Sequence, residues 1–168
     1  LDHGPHLDFQ TEWWYYTGNL STPDGRPFGF ELTVFRVSLV PPVVDLPDDS
    51  TWYSESLYFA HFALSDIEAN EFHAYERYAR PGPGLAGVQG SPYRVWLEDW
   101  SIVETGKDSY RLQAAQDGFA IDLNLTDEMG VILHGENGYS RKGREVSNAS
   151  YYYSQPRLRA EGTVRVQG

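Results

Sequence analysis

The sequence predicts an all-β fold, an antiparallel barrel or sandwich of about nine short strands with little helix, and the barrel is preferred. Three observations carry this. Turn signals recur at intervals of about ten residues through the second half. The runs between them alternate apolar and polar residues with the period of two that a half-buried strand requires. Rings make up 15% of the residues, with 12 Tyr and 5 Trp against a single Met, so the interior is expected to be aromatic and β-structured.

Residues 1–8 are polar, with His3, Gly4, Pro5 and His6, and read as an irregular lead-in. The first strand then runs Thr11-Glu12-Trp13-Trp14-Tyr15-Tyr16-Thr17-Gly18-Asn19-Leu20. Alternation puts Glu12, Trp14 and Tyr16 on one face and Trp13, Tyr15 and Thr17 on the other. With rings on both faces each should be covered, which predicts a central strand. Residues 21–27 hold Pro and Gly placed to reverse the chain into a hairpin. Its second arm puts Phe28, Phe30, Leu32, Val34, Arg36 and Ser38 on one face. Arg36 interrupts that face. It is either a strand-end charge reaching water or, paired with Glu12 on the neighbouring strand, half of a buried ion pair.

Residues 41–49 contain three prolines and three acids and form a surface loop long enough to serve as a rim or lid. A further strand over 52–64 places Tyr53, Glu55, Leu57, Phe59, His61 and Ala63 on one face. His61 is there either a hydrogen-bonded core residue or a general acid/base. Residues 65–71 have a helical look, with Asp66 near the start, and 72–80 lead to the break Pro81-Gly82-Pro83-Gly84-Leu85-Ala86-Gly87. No Gly-Lys-Ser/Thr closes that loop, so it lacks phosphate-binding chemistry. Strands are expected at 93–100, 110–115, 120–125 and 131–134, with turns at Gly106-Lys107-Asp108, Asp117-Gly118 and Asn137-Gly138. After a polar loop over 138–149, Tyr151-Tyr152-Tyr153-Ser154 repeats the ring density of the opening strand, and a last strand spans 157–166.

A chain of 168 residues suits one domain with a core that needs no staples. The net charge of −11 argues against nucleic acid and anionic lipid as partners, both of which call for basic patches. An apolar or cationic small molecule fits better. Cysteine is absent, which excludes disulfides, thiolate catalysis and cysteine zinc sites. The five His never stand at His-x-His or His-x-x-x-His spacing, which disfavours metal hydrolysis, and no metal is expected. No Gly-x-Ser-x-Gly marks a serine hydrolase. No apolar run approaches the ~20 residues of a membrane span, so no transmembrane segment is expected.

The run Asp2-His3-Gly4-x-His6-x-x-Phe9-x-Thr11-Glu12-Trp13-Trp14-Tyr15-Tyr16-Thr17-Gly18-Asn19-Leu20, followed by Phe28-Gly29-Phe30-Glu31-Leu32-Thr33-x-Phe35-Arg36, resembles the carotenoid 1,2-hydratase family. That family takes in the AttH-like, attachment-locus lipocalin-like proteins often labelled secreted hydrolases. Further matches are Tyr58-x-Ala60-His61-Phe62-Ala63-Leu64-Ser65-Asp66, Arg94-Val95-Trp96-Leu97-Glu98-Asp99-Trp100, Lys142-Gly143 and Asn148-Ala149-Ser150-Tyr151-Tyr152-Tyr153-Ser154. The resemblance implies two consecutive lipocalin-like barrels with a ligand cavity near their junction, of which this chain supplies the first. The second barrel, which follows a Gly-Thr-x-x-x-x-Gly strand matched here by residues 162–168 and carries Trp-Met-Asp-x-Glu-Trp, is the expected partner and is absent from this chain.

What the resemblance implies about function is cofactor-free hydration of an apolar, polyene or terpenoid-like substrate, in the periplasm or outside the cell. Such a reaction needs an acid to protonate an alkene, a base to direct water and rings to face the cation. Glu12 and His61 are the catalytic candidates. Trp14, Tyr16, Arg36, Trp96, Tyr151 and Tyr153 are the ligand-binding candidates. Against this stand a purely structural Glu12–Arg36 pair that locks two strands, a non-catalytic carrier of hydrophobic molecules outside the cytoplasm and, on aromatic content alone, a carbohydrate-binding sandwich.

Overall fold

A computed structural model describes residues 3–39, 56–143 and 149–167. The expected rim over 41–49, the Trp52, Tyr53 and Glu55 end of the third strand, and the motif positions Asp2 and Asn148 lie outside the described residues.

β1 (Thr11–Ser21) and β2 (Pro27–Ser38) form the expected hairpin, and β3 (Ser56–Asp66) and β4 (Glu71–Ala79) extend it in chain order into a four-stranded antiparallel sheet. β5 (Ala86–Gly90), β6 (Tyr93–Leu97), β7 (Trp100–Gly106), β8 (Ser109–Gln116) and β9 (Phe119–Asp127) then meander, with positive φ at Asp108, Asp117 and Gly118 in the tight turns. β10 (Ile132–Leu133), β11 (Tyr139–Arg141), β12 (Ala149–Tyr151) and β13 (Tyr153–Ser154) make two short ribbons, β10 with β13 and β11 with β12. β14 (Leu158–Arg165) returns beside β9 to complete a six-stranded sheet of order β14-β9-β8-β7-β6-β5. Gly162 permits that return, because a Cβ there would fall 2.0 Å from the Asp122 carbonyl oxygen.

Two expectations about the architecture change. Among the described residues there are fourteen strands rather than about nine, and the two main sheets stack as a sandwich without closing into a barrel. The expected single strand over 93–100 is two strands, split by a tight turn in which Glu98 takes a φ of 56°. β1, expected to be central, is an edge strand that pairs with β2 alone among the described residues. The rings that suggested cover on both sides are instead met by chain from elsewhere, as the cavity below shows.

The expected helix over 65–71 is also absent. β3 runs on to Asp66, a turn with Asn70 at φ 55° follows, and β4 begins at Glu71. Asp66 uses its capping chemistry on that turn, accepting the Ala69 N–H at 3.1 Å, and it pairs with Arg26 from the first hairpin turn. No helix among the described residues is long and apolar enough to cross a membrane.

The core lies between the sheets. Leu32, Val34, Ala60, Phe62 and Leu64 of the first sheet are fully buried against Val95, Leu97, Trp100, Ile102 and Leu112 of the second. Each large side chain so buried contributes about 1.5–3 kcal/mol of apolar transfer. The Phe62 and Trp100 rings meet edge to face at 5.8 Å, and the indole N–H donates to the Ala115 carbonyl at 3.0 Å. Arg77 of β4 lies over the Trp100 ring at 4.3 Å and donates to Gln116 Oε1 at 2.7 Å, clamping one end of the sandwich. The opposite pair of sheet edges, β1 and β14, stays apart.

Candidate functional site

A cavity of about 430 Å³ occupies that opening, within the range of ~300–1,000 Å³ usual for small-molecule sites. The consecutive residues Trp13, Trp14, Tyr15, Tyr16 and Thr17 all line it. Successive strand residues point to opposite faces, so the cavity meets the edge of β1 rather than one of its faces. Ser150 to Pro156 and Leu158 form the facing wall, and the lead-in runs along the cavity with His3 at one end, Gly4 between and His6 at the other.

Glu12 organises that end. The β1–β2 register sets it directly opposite Arg36, and both residues are buried, at 8% and 1% exposure. Arg36 Nε donates to Glu12 Oε2 at 2.8 Å, and its Nη2 donates to the carbonyls of His6 and Phe9 at 3.0 and 2.8 Å. The guanidinium therefore fixes the carboxylate and also ties the lead-in to the strand. Glu12 Oε1 accepts the His6 backbone N–H at 2.7 Å and lies 3.0 Å from His6 Nδ1. Acid and imidazole thus stand in hydrogen-bond contact on the cavity wall, a geometry that can pass a proton.

The other end is a cluster of phenols around His3. Its ring lies 5.1 Å from Tyr93, 6.0 Å from Tyr110 and 5.5 Å from Tyr153, and its Nδ1 is hydrogen-bonded to the Tyr153 hydroxyl. The Trp14 indole N–H donates to the His3 carbonyl at 3.3 Å. Burial pushes the phenols of Tyr16 and Tyr93 well above their ordinary value of 10.0, and the neighbouring Tyr153 and Tyr110 add to the rise. A folded phenol that keeps its proton past the point where the unfolded one releases it makes unfolding release protons there. These tyrosines therefore leave stability unaffected below about pH 10 and reduce it as pH rises beyond. The urea midpoint is expected to fall steeply across that window and less so in Tyr16→Phe; equal slopes would show that Tyr16 is not held neutral.

At the rim, Tyr152 stacks on His134 at 4.4 Å, and Lys142 Nζ lies 5.1 Å from the Tyr152 ring and 5.8 Å from Trp13. Tyr151, 57% exposed, packs on His6 at 5.0 Å and Phe9 at 5.6 Å.

Over residues 1–168 the sequence matches the AttH-like family. The chain belongs to that family. Among solved structures this AttH-like chain is similar to a candidate AttH from Nitrosomonas europaea, with a TM-score of 0.78 and 36% identity, covering 96% of this chain and 49% of that one. It is also similar to kievitone hydratase from Nectria haematococca, with a TM-score of 0.60, 15% identity and coverage of 93% of this chain and 41% of that one, a likeness of fold alone. The AttH-like chain therefore spans about half the length, or less, of these two structures. No protein of curated function matches the sequence.

Of the residues singled out from sequence, Glu12, Trp14, Tyr16, Tyr151 and Tyr153 line this cavity, and Arg36 stands behind Glu12 as the buried partner rather than as a strand-end charge. His61 and Trp96 are not brought there. His61 projects from the outer face of the first sheet, 3.0 Å from Glu76 Oε1 and against the rings of Phe35 and Phe59. The face bearing Tyr58, Ala60, Phe62 and Leu64 is the one that meets the core. Trp96 lies on the outer face of the second sheet, donating to the Gly84 carbonyl at 2.9 Å beneath the Arg94 guanidinium. His3, His6 and Ser150 are cavity residues that sequence reasoning passed over, although all three stand inside the motif runs that carry the family resemblance.

Proposed function

We propose that this chain supplies the ligand cavity, and with Glu12 and His6 the proton-transfer pair, for cofactor-free addition of water to a largely apolar alkene, of the polyene or terpenoid kind, in the full-length protein. The observation that carries this is the 3.0 Å contact between Glu12 Oε1 and His6 Nδ1 on the wall of a ring-lined cavity. Hydration removes a C=C π bond and forms one C–H and one C–O bond. An acid delivers the first proton and a base takes the proton left on the added water. The rings of Trp14 and Tyr16 face the space where the cation would form. Membership of the AttH-like family and a fold shared with a protein named as a hydratase support the same chemistry. The setting we propose is the periplasm or the cell exterior.

Glu12→Gln in the full-length protein tests this. Binding of an alkene ligand is expected to persist while turnover is lost. Turnover that survives the change would remove Glu12 from the chemistry, and bound ligand without turnover in the unaltered protein would make the module a carrier.

A further inference from the structure

We infer that the molecule held in this cavity carries a neutral oxygen, a hydroxyl or carbonyl, that is bound by Ser150. The inference rests on the cavity being a ligand site and narrows the ligand from a plain hydrocarbon to an oxygenated ring or polyene.

Ser150 is 4% exposed and lines the cavity, and its Oγ is the single buried side-chain polar atom without a hydrogen-bond partner among the described residues. A buried hydroxyl left unpaired is costly, and folded chains rarely tolerate one. Its neighbours on the cavity wall are satisfied from within the chain. Glu12 is held by Arg36 and His6, the Trp14 indole by the His3 carbonyl, Thr17 by the Phe30 carbonyl, Ser154 by His134 at 2.7 Å, and Gln155 by Tyr110 and Asp127. Ser150 alone among these holds its hydrogen-bonding capacity in reserve.

Its position is fixed and its chemistry is selective. β12 pairs with β11 through the Ser140–Ser150 register, so the hydroxyl is presented from a ladder. The adjoining Tyr151 ring packs on His6, which places Ser150 toward the Glu12 end of the cavity. A serine hydroxyl both donates and accepts, so it suits a hydroxyl or a carbonyl alike. An anionic oxygen is disfavoured, because the Glu12 carboxylate shares the wall and the chain carries a net charge of −11.

The test compares trans-4-hydroxystilbene with trans-stilbene, two ring-alkene probes that differ by one hydroxyl. Affinities are read in the full-length protein from quenching of tryptophan fluorescence, since Trp13 and Trp14 both line the cavity. The hydroxylated probe is expected to bind about tenfold more tightly, the factor that one good hydrogen bond to a buried group supplies. Ser150→Ala should erase that advantage and leave stilbene affinity within about twofold. Because the change removes an unpaired buried group, it should also raise the Tm of the unliganded protein, by about 2–4 °C.

Equal affinity for the two probes, or an advantage that survives Ser150→Ala, overturns the assignment to Ser150 and leaves the cavity as a site for apolar ligands. Failure of both probes to bind overturns the cavity as a ligand site and the oxygen contact with it.

Discussion

Glu12→Gln in the full-length protein is expected to lower turnover by about 10²–10⁴-fold, the span usual for loss of a positioned acid or base. Glutamine preserves the shape of the site. Its single amide oxygen keeps one of the two bonds now made to separate carboxylate oxygens, from Arg36 Nε at 2.8 Å, while the amide NH2 takes the place of the oxygen that accepts the His6 N–H at 2.7 Å. What it removes is the group that takes and returns a proton beside His6. Ligand affinity should therefore change by less than about threefold, the pattern of an interaction made only in the transition state. His6→Ala is expected to reduce turnover in the same direction. His61→Ala, on the outer face of the first sheet, should leave it within about twofold, since that ring touches Phe35, Phe59 and Glu76 and not the cavity. Turnover lost in His61→Ala and kept in Glu12→Gln would reverse the assignment.

Arg36→Leu should destabilise the chain by about 3–5 kcal/mol, the usual cost of removing one partner from a buried ion pair. Arg36 is 1% exposed and spends its donors on Glu12 and on the carbonyls of His6 and Phe9. Leucine would leave a buried carboxylate without its cation and two lead-in carbonyls without a donor. The lead-in would then loosen from the cavity. The double variant Glu12→Met with Arg36→Leu should recover much of the loss, because an apolar pair of similar volume carries no uncompensated charge. Urea unfolding of the three variants reads this directly. A single-variant cost below about 1 kcal/mol would mean that the pair is solvated rather than buried.

The hairpin of β1 and β2 and the Glu12–Arg36 pair were legible in the sequence because both depend on local rules. Period-two alternation places each residue on a face, and a short turn fixes the antiparallel register that sets the two opposite each other. Which face turns inward is a different matter. β3 carries rings on both sides, with Phe59 stacked on Phe35 outside and Phe62 against Trp100 inside, so the alternation that grouped His61 correctly with Phe59 said nothing of which group meets the core. Trp96 stood among the ligand-binding candidates through its place in a family run, and in β6 it shares a face with Arg94, opposite the buried Tyr93, Val95 and Leu97.

Barrel closure was equally hidden, since it turns on whether β1 pairs with β14 and β4 with β5, and no single-strand pattern encodes the pairing of sheet edges. The 65–71 stretch misled because Asp serves a turn as readily as a helix cap. His6 and Ser150 escaped notice for want of a distinguishing residue type. They matter through contacts with the Glu12 end of a cavity that forms only when the lead-in, β1 and residues 150–158 converge.

The most direct measurement is a crystal structure of the full-length protein with trans-4-hydroxystilbene bound. Its rings are expected between β1 and residues 150–158, with the alkene beside Glu12 and His6 and the hydroxyl within hydrogen-bond reach of Ser150 Oγ. A probe bound instead on the outer sheet faces, against His61 or Trp96, with the β1 cavity unfilled, would contradict the assignment of this cavity as the functional site.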